Sequence, residues 1–496
     1  MPAPSNRSRW LALTAALLGW MFDGMEMGLF PLVGKNSLRE LLHENATTES
    51  VNRWFGVIMA CFLVGAATGG VLFGWLGDKI GRVRAMTISV LVYSLCSGLS
   101  AASQSPVQMA VLRFLGALGM GGEWALGVAL VMEVWPNASR AWLAGWIGAF
   151  GNLGYTLVGT IALLLNRFQG QLPGLLESVG VPSDWAEALT ANNNWRLLMT
   201  IGAVPALLTL VIRLFVDESE KWEKGKAEGK ASFWAGKDLL GVLFGCAAAG
   251  GVIALWAIET GKLETWIRVL GSIVGLGIVL YGYLLPARGY IARCGFAPEV
   301  KRESLRRMLL AAGLSGVPLL ATWAGLMWMY QWVGELPGGG NPDAKPWIQI
   351  SSSIGAALGC LVGAVLGGML GRRPVYAALC ILSMVTMIGF YQLNTEYGLA
   401  FILSAWLLGF VSAAFYGWLP LYLPELFRTS MRATGQGFGF NFGRIIAAAA
   451  NLQMANLLAA FDNNYSHACA IVAGIYLIGI ALIAVAPETK GKPLPE

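Results

Sequence analysis

The sequence predicts an all-α integral membrane protein: two six-helix bundles with two extra transmembrane helices between them. Three observations carry that expectation. Of 496 residues, 56% are hydrophobic and only 12% are charged, roughly half the charged share of an ordinary soluble chain. Apolar stretches long enough to cross about 30 Å of hydrocarbon recur along the whole length. Short signals from the first half also return in the second: Gly81-Arg82 as Gly371-Arg372, an offset of 371−81 = 290, and Arg140 with Gly145 and Gly151 as Arg432 with Gly437 and Gly443, an offset of 432−140 = 292. Agreement between two separate signals points to a duplicated bundle whose halves share one orientation and form a site between them.

The spans follow in order. Arg7 and Arg9 open the first, 10–33, which is too long and too interrupted by acids for a cleaved leader and is read as an uncleaved helix. Further apolar segments lie at 53–76, 83–103, 106–135, 139–166 and 195–216, completing an N-terminal bundle over 1–216. A polar stretch and the spans 238–259 and 264–286 form an inserted region, 217–304. Segments at 305–334, 346–370, 373–393, 397–423, 433–460 and 465–487 make the C-terminal bundle and tail, 305–496. The total is about fourteen spans, each helical because lipid gives backbone groups no outside partner.

The excess of 34 Lys+Arg over 28 Asp+Glu is spread in short clusters between spans, which argues against a nucleic-acid partner and for topology signals. With both termini cytoplasmic, Lys79, Arg82, Arg84, Arg140, Lys221 to Lys237, Arg288 to Arg307, Arg372, Arg373, Arg428 and Arg432 fall inside, while outer loops keep few basic residues such as Lys35, Arg39, Arg167 and Lys345. The seven cysteines are dispersed without a CxxC pair, so neither disulfides nor a metal site is expected. Gly229-Lys230-Ala231-Ser232 lacks the spacing and hydroxyl of a phosphate-binding loop, so no cofactor, ATP-driven pump or enzyme is expected.

Buried charges mark the candidate mechanism. Asp23 and Glu26 lie three residues apart in the first span, where a charge costs roughly 2.5–3.5 kcal/mol even on a lenient insertion scale. Glu123 lies at similar depth in span 4, so a three-carboxylate cluster is expected, with Asp23 and Glu123 carrying a proton and Glu26 as their neighbour; crowding and desolvation both disfavour ionisation there. Arg113 in span 4 and Arg444 in span 11 are equal candidates to anchor a substrate carboxylate by paired hydrogen bonds, with a purely structural ion pair as the alternative for each. Asn441 shares the face of Arg444 one turn earlier. Of the span 7 aromatics Trp323, Trp328, Tyr330 and Trp332, Trp323 is a candidate stacking platform, although such residues near a helix end more often form an interfacial belt. His43 and His467, the only histidines, map to loops, which disfavours a histidine relay.

Gly74-Trp-Leu-Gly-Asp78-Lys79-Ile-Gly81-Arg82-Val-Arg84, between spans 2 and 3, resembles the signature loop of the major facilitator superfamily. The resemblance implies a gating latch in which Asp78 faces the start of span 11 near Arg432. In the second copy Gly368 occupies the acidic position, so that latch is expected to be vestigial. Phe22-Asp23-Gly-Met-Glu26, the span 4 run from Arg113 through Glu123 to Arg140, the segment Val216 to Lys224 and the inserted span pair resemble the sialate:proton symporter family. Pro424-Glu425-Leu-Phe with Arg432, and Pro487-Glu-Thr-Lys490-Gly491, are similar to sugar porters, and the span 1 acids to aromatic-acid:proton symporters. These resemblances imply proton-coupled symport of an organic acid, sialic acid foremost, with a sugar or aromatic acid as the alternative and a transporter-like sensor behind it. They also imply a monomer in the cell membrane whose partners are substrate, protons and lipid.

Overall fold

The computed structural model describes residues 6–134, 140–207, 236–259, 262–293, 297–428 and 432–492. Among them the chain is all helical and has no strand. The N-terminal half holds α1 (Asn6–Leu42), α2 (Thr48–Ile80), α3 (Arg82–Leu99), α4 (Pro106–Val134), α5 (Arg140–Arg167), α6 (Leu172–Ser178) and α7 (Ser183–Ile201). The inserted region contributes α8 (Gly236–Ala257) and α9 (Thr265–Arg293). The C-terminal half holds α10 (Pro298–Ala324), α11 (Met329–Trp332), α12 (Ala344–Leu370), α13 (Arg372–Leu393), α14 (Leu399–Tyr422), α15 (Arg432–Ala460), α16 (Tyr465–Val472) and α17 (Ile475–Ala484).

Eleven helices among the described residues are long and apolar enough to cross a membrane. The expected spans at 106–135, 195–216 and 433–460 are not among them. The first and third are the helices α4 and α15; α15 carries Asn441, Arg444, Asn451 and Asn456 within its apolar run, and the second leaves the described residues after 207.

The two halves repeat one packing plan. In the first, α2 packs on α4 and α1 on α5; in the second, α12 packs on α14 and α10 on α15. The junctions repeat too. Gly81 ends α2 and starts α3 at φ +112°, ψ +155°, and Gly371 does the same between α12 and α13 at φ +113°, ψ +160°. That backbone region is open essentially to glycine alone, which explains why glycine stands at both positions. The halves meet along two seams, α2 against α15 and α5 against α12. The inserted α8 and α9 pack on each other and lie against α2 and α15, with Thr68 Oγ1 and Tyr283 Oη 2.6 Å apart.

Apolar side chains cover the outside: Leu95 and Leu99 on α3, Phe244 on α8, Ile273 on α9 and Leu382 and Val385 on α13 are all exposed, the pattern of a surface that meets lipid. Two predicted spans are broken. Span 7 ends its regular helix at Gly325 and continues through a 3-10 turn, Leu326–Trp328, into α11, while the last span divides into α16 and α17. In α7, Ala191 to Asn194 leave the helical conformation, with Asn192, Asn193 and Asn194 at φ +48°, +60° and +57°.

Candidate functional site

A cavity with about 170 Å³ of room for water centres lies between the halves. The N-terminal half lines it with Trp20, Asp23 and Met27 from α1 and Asn152 and Tyr155 from α5; the C-terminal half adds Thr322, Trp323, Tyr330, Ser353, Tyr416 and Arg444. Glycine places the acid there. A side chain at Gly24 would run into the backbone of Gly151, and one at Gly154 into α1, so small residues bring α1 and α5 together and hold Asp23 at the wall.

The expected carboxylate trio divides in two. Asp23 lines the cavity, is 5% exposed and has an Oδ1 without a hydrogen-bond partner. Glu123 lies outside the cavity lining, with its carboxylate against Gly19, one turn before Asp23, and neither oxygen has a hydrogen-bond partner among the described residues. The two acids interact electrostatically, and Asp23 also feels Arg444. Glu26 belongs to another site. Its carboxylate takes hydrogen bonds from Arg113 and from Ser97 Oγ, and both partners of the Arg113–Glu26 ion pair are 1% exposed. Phe62 and Phe30 pack over the guanidinium, with ring centroids 4.9 and 5.7 Å away. Neither Glu26 nor Arg113 reaches the cavity.

Arg444 does reach it. The guanidinium donates to the Ala66 carbonyl at 3.2 Å and to Asn441 Oδ1 at 3.4 Å, and it lies over the Phe440 ring at 5.0 Å. No carboxylate among the described residues is within ion-pair distance of it. Asn441 is buried against Gly70 of α2, across the seam, and is not a cavity wall. Trp323 is a cavity wall and packs on Phe62 at 5.7 Å. The belt expected for the other span 7 aromatics is corrected: Trp328, Tyr330 and Trp332 are buried, because the break at Gly325 folds the chain inward. Trp328 Nε1 donates to Asn451 Oδ1 at 2.9 Å, and Trp332 packs among Phe390, Tyr391 and Phe401.

The sequence reading missed the wall residues Tyr155, Thr322, Ser353 and Tyr416 and the seam residues Thr156 and Gln349 beside them. Tyr416 donates to Thr322 Oγ1 at 2.8 Å, Thr156 and Ser353 hydroxyls lie 2.8 Å apart across the α5/α12 seam, and Gln349 Nε2 donates to the Tyr155 carbonyl at 3.0 Å across the same seam. Their signal was polar residues in mid-span, weaker than a charge.

In the loop between α2 and α3, no atom of the described residues lies within 4 Å of a Cβ placed at Gly74, and Gly81 makes the turn described above. The side chains of Asp78, Arg82, Arg140 and Arg432 lie outside the described residues. The second copy makes its own polar contacts. Arg372 donates through Nε and a terminal nitrogen to both oxygens of Glu425, at 2.9 and 2.6 Å, and Thr489 Oγ1 donates to Glu425 at 2.6 Å. Glu488 accepts from the backbone N–H groups of Arg372 and Arg373 at 3.0 and 2.9 Å. Burial pushes the Glu488 carboxyl up, but the N–H groups of Arg373, Arg372, Lys490 and Thr489 outweigh it and hold the group below the usual carboxylate range. Two acids from further along the chain thus take the place left by Gly368.

At the opposite end the halves are tied together. Lys35 Nζ lies 3.2 Å from Glu335 and 2.9 Å from Tyr465 Oη, Gln331 Nε2 donates to the Pro31 carbonyl at 2.7 Å, and Asn166 Nδ2 donates to Asp343 at 3.1 Å.

A duplicated helical bundle with lipid-facing walls and a central cavity at the joint of its halves is the architecture of a membrane transporter. Residues 11–237 and 265–491 match the sugar (and other) transporter family, and the chain belongs to that family of the major facilitator fold. It is a multi-pass membrane transporter and not an enzyme. The unmatched interval, 238–264, covers most of α8. The niacin transporter NiaP of Acinetobacter baylyi is 22% identical, with 99% of this chain and 97% of that protein aligned. The sialic acid transporter NanX of Escherichia coli is 28% identical over 45% of this chain and 47% of its own. Among solved structures, the proton:xylose symporter XylE is similar in fold, with a TM-score of 0.63, 17% identity, and 98% and 97% of the two chains covered.

Proposed function

We propose that the chain carries a small organic carboxylate across the membrane together with a proton, by alternating access between its two halves. The observation that carries this reading is one cavity walled by a buried acid of the first half, Asp23, and a buried cation of the second, Arg444. An unpaired charge buried in a protein costs several kcal/mol, so Asp23, whose Oδ1 lacks a donor, and Glu123, neither of whose oxygens has one among the described residues, are suited to share a proton. Arg444 needs an anion and offers a planar fork for a substrate carboxylate. Asn441 braces it, and Trp323 stacks on the substrate. Glu26 and Arg113 act as a structural pair. Loading the cavity with substrate anion and proton together leaves neither acid nor cation uncompensated, which couples the two.

The walls favour a compact, flat acid. Trp20, Tyr155, Trp323, Tyr330, Tyr416 and Phe440 present rings around a single guanidinium, and aromatic faces suit a planar apolar body. Nicotinate, the carboxylate form of the compound named for NiaP, has that shape. Sialate is the second reading, supported by the Phe22 to Glu26 segment, the α8–α9 pair and the partial likeness to NanX.

The proposed topology has about fourteen spans, bundles over 1–216 and 305–496 separated by 217–304, both termini in the cytoplasm, and the Lys35 end outside, as a monomer in the cell membrane. The test is uptake into liposomes under an imposed inward proton gradient, with nicotinate, sialate, benzoate and xylose compared. Gradient-driven accumulation of a carboxylate is expected, and Asp23→Asn should abolish accumulation while leaving substrate exchange largely intact. Accumulation that ignores the gradient, or equal loss of both activities in Asp23→Asn, would refute the coupling.

A further inference from the structure

A second polar pocket lies at the Lys35 end, with about 250 Å³ of room for water centres. Asn36 and Arg39 from α1 and Asn194 line one side; Lys345, at the start of α12, and the 339–342 loop line the other. Three features set it apart from an ordinary polar crevice. Asn194 is 1% exposed, yet neither its amide nitrogen nor its oxygen has a hydrogen-bond partner among the described residues. Burying an amide without a partner costs on the order of 1–3 kcal/mol. Arg39 and Lys345 form no ion pair or hydrogen bond among the described residues. The acids nearby are engaged: Glu335 with Lys35, Glu40 with Arg196, Trp195 and Asn192, and Asp343 with Asn166. Arg39, the Lys345 amine, which burial and the neighbouring Lys35 and Arg39 push down to about 7, and a buried amide therefore face one polar space shared by both halves.

The pocket is also stacked on the central one. Met27 lines the cavity and Leu32 lines this pocket, five residues on along α1, or about 8 Å at the helical rise. On α12, Pro346 and Ser352 repeat the arrangement.

We propose that this pocket is a separate anion site that holds an organic carboxylate between Arg39 and Lys345, with Asn194 donating to it, before the carboxylate passes to Arg444. The inference rests on the organic-anion reading above. Positive charge at the mouth raises the local concentration of anionic substrate, a bound carboxylate favours the protonated Lys345 amine, and an anion held between the halves adds to the ties that keep this end closed.

The test uses the purified full-length protein and radiolabelled nicotinate. Equilibrium binding is expected to show two classes of site in the wild type, with Arg39→Gln/Lys345→Gln removing one class and Arg444→Gln the other. Arg39→Lys/Lys345→Arg keeps both charges and is expected to keep both classes. In liposomes the Gln pair should raise KM for uptake about tenfold, acting on KM and not on maximal rate, and should flatten its dependence on ionic strength. Asn194→Leu is expected to weaken the same class of site.

One class of site in the wild type, or two classes surviving in the Gln pair, overturns the proposal. So does inorganic phosphate occupying the outer class while nicotinate does not. If the wild type shows no gradient-driven uptake but the Gln pair still removes one class of bound nicotinate, the transport reading fails alone and the outer site stands.

Discussion

Removing the Glu26 charge gives the sharpest test of how the acids divide their work. Glu26→Gln leaves Arg113, 1% exposed between Phe30 and Phe62, as a buried cation with no anion. Breaking a buried pair from one side costs about 3–5 kcal/mol. For 496 residues, an unfolding entropy of about 2.1 cal/mol/K per residue makes that a drop of roughly 3–5 °C in apparent Tm, and more if only one bundle unfolds. Arg113→Met alone strands the opposite charge and should cost as much. The double variant Glu26→Gln/Arg113→Met removes both charges and fills the space between the rings, so most of the loss should return. The assay is thermal unfolding of the four proteins in one detergent, read by intrinsic tryptophan fluorescence, as a double-mutant cycle. A coupling energy below about 0.5 kcal/mol would refute the structural pairing. An unchanged Tm with loss of gradient-driven uptake in Glu26→Gln would instead make Glu26 a proton carrier.

Two further outcomes follow from the junctions. Gly371→Ala forces an alanine into the glycine-only region, at about 1–3 kcal/mol, and also brings its Cβ to a tight 3.3 Å from Glu488 Oε2, so thermal unfolding should show a loss there and at Gly81→Ala, which shares the backbone conformation; no loss at either position would contradict the glycine-only geometry. The Glu488 carboxyl is held below its ordinary value of 4.5, so its contribution is complete above pH 4.5 and is lost as pH falls through the lower folded value. Protection of the Arg372 and Arg373 amides, measured against their intrinsic exchange rates at each pH, should fall there in the wild type, and Glu488→Gln should show the reduced protection already at neutral pH.

Much of the fold could be read from the sequence because lipid imposes one rule: long apolar runs become helices, and charges inside them stand out. Asp23, Glu123 and Arg444 were visible on that ground. The partners of those charges were not. Residues three apart on a helix differ by roughly 60° around its axis, and that is enough to turn Asp23 to the cavity and Glu26 to Arg113 and Ser97. The identity of the residue across the gap depends on α3 and α4, which local spacing does not encode. The contacts of the second junction were hidden for a similar reason: Gly368 is silent locally, while Glu425 and Glu488 reach Arg372 and Arg373 from far along the chain. Trp328 and Trp332 have the composition of a headgroup belt, and only the break at Gly325 takes them inside.

The α8–α9 pair makes the two long joints of the molecule chemically unequal. On one flank α2 and α15 are roofed by extra helices; on the other, Leu164 of α5 and Leu358 of α12 are exposed. Acyl chains therefore have direct access to the α5/α12 joint, while at the other they first meet protein. Changes in bilayer thickness or packing act on this molecule from one flank, as weather acts on a house with a single open wall.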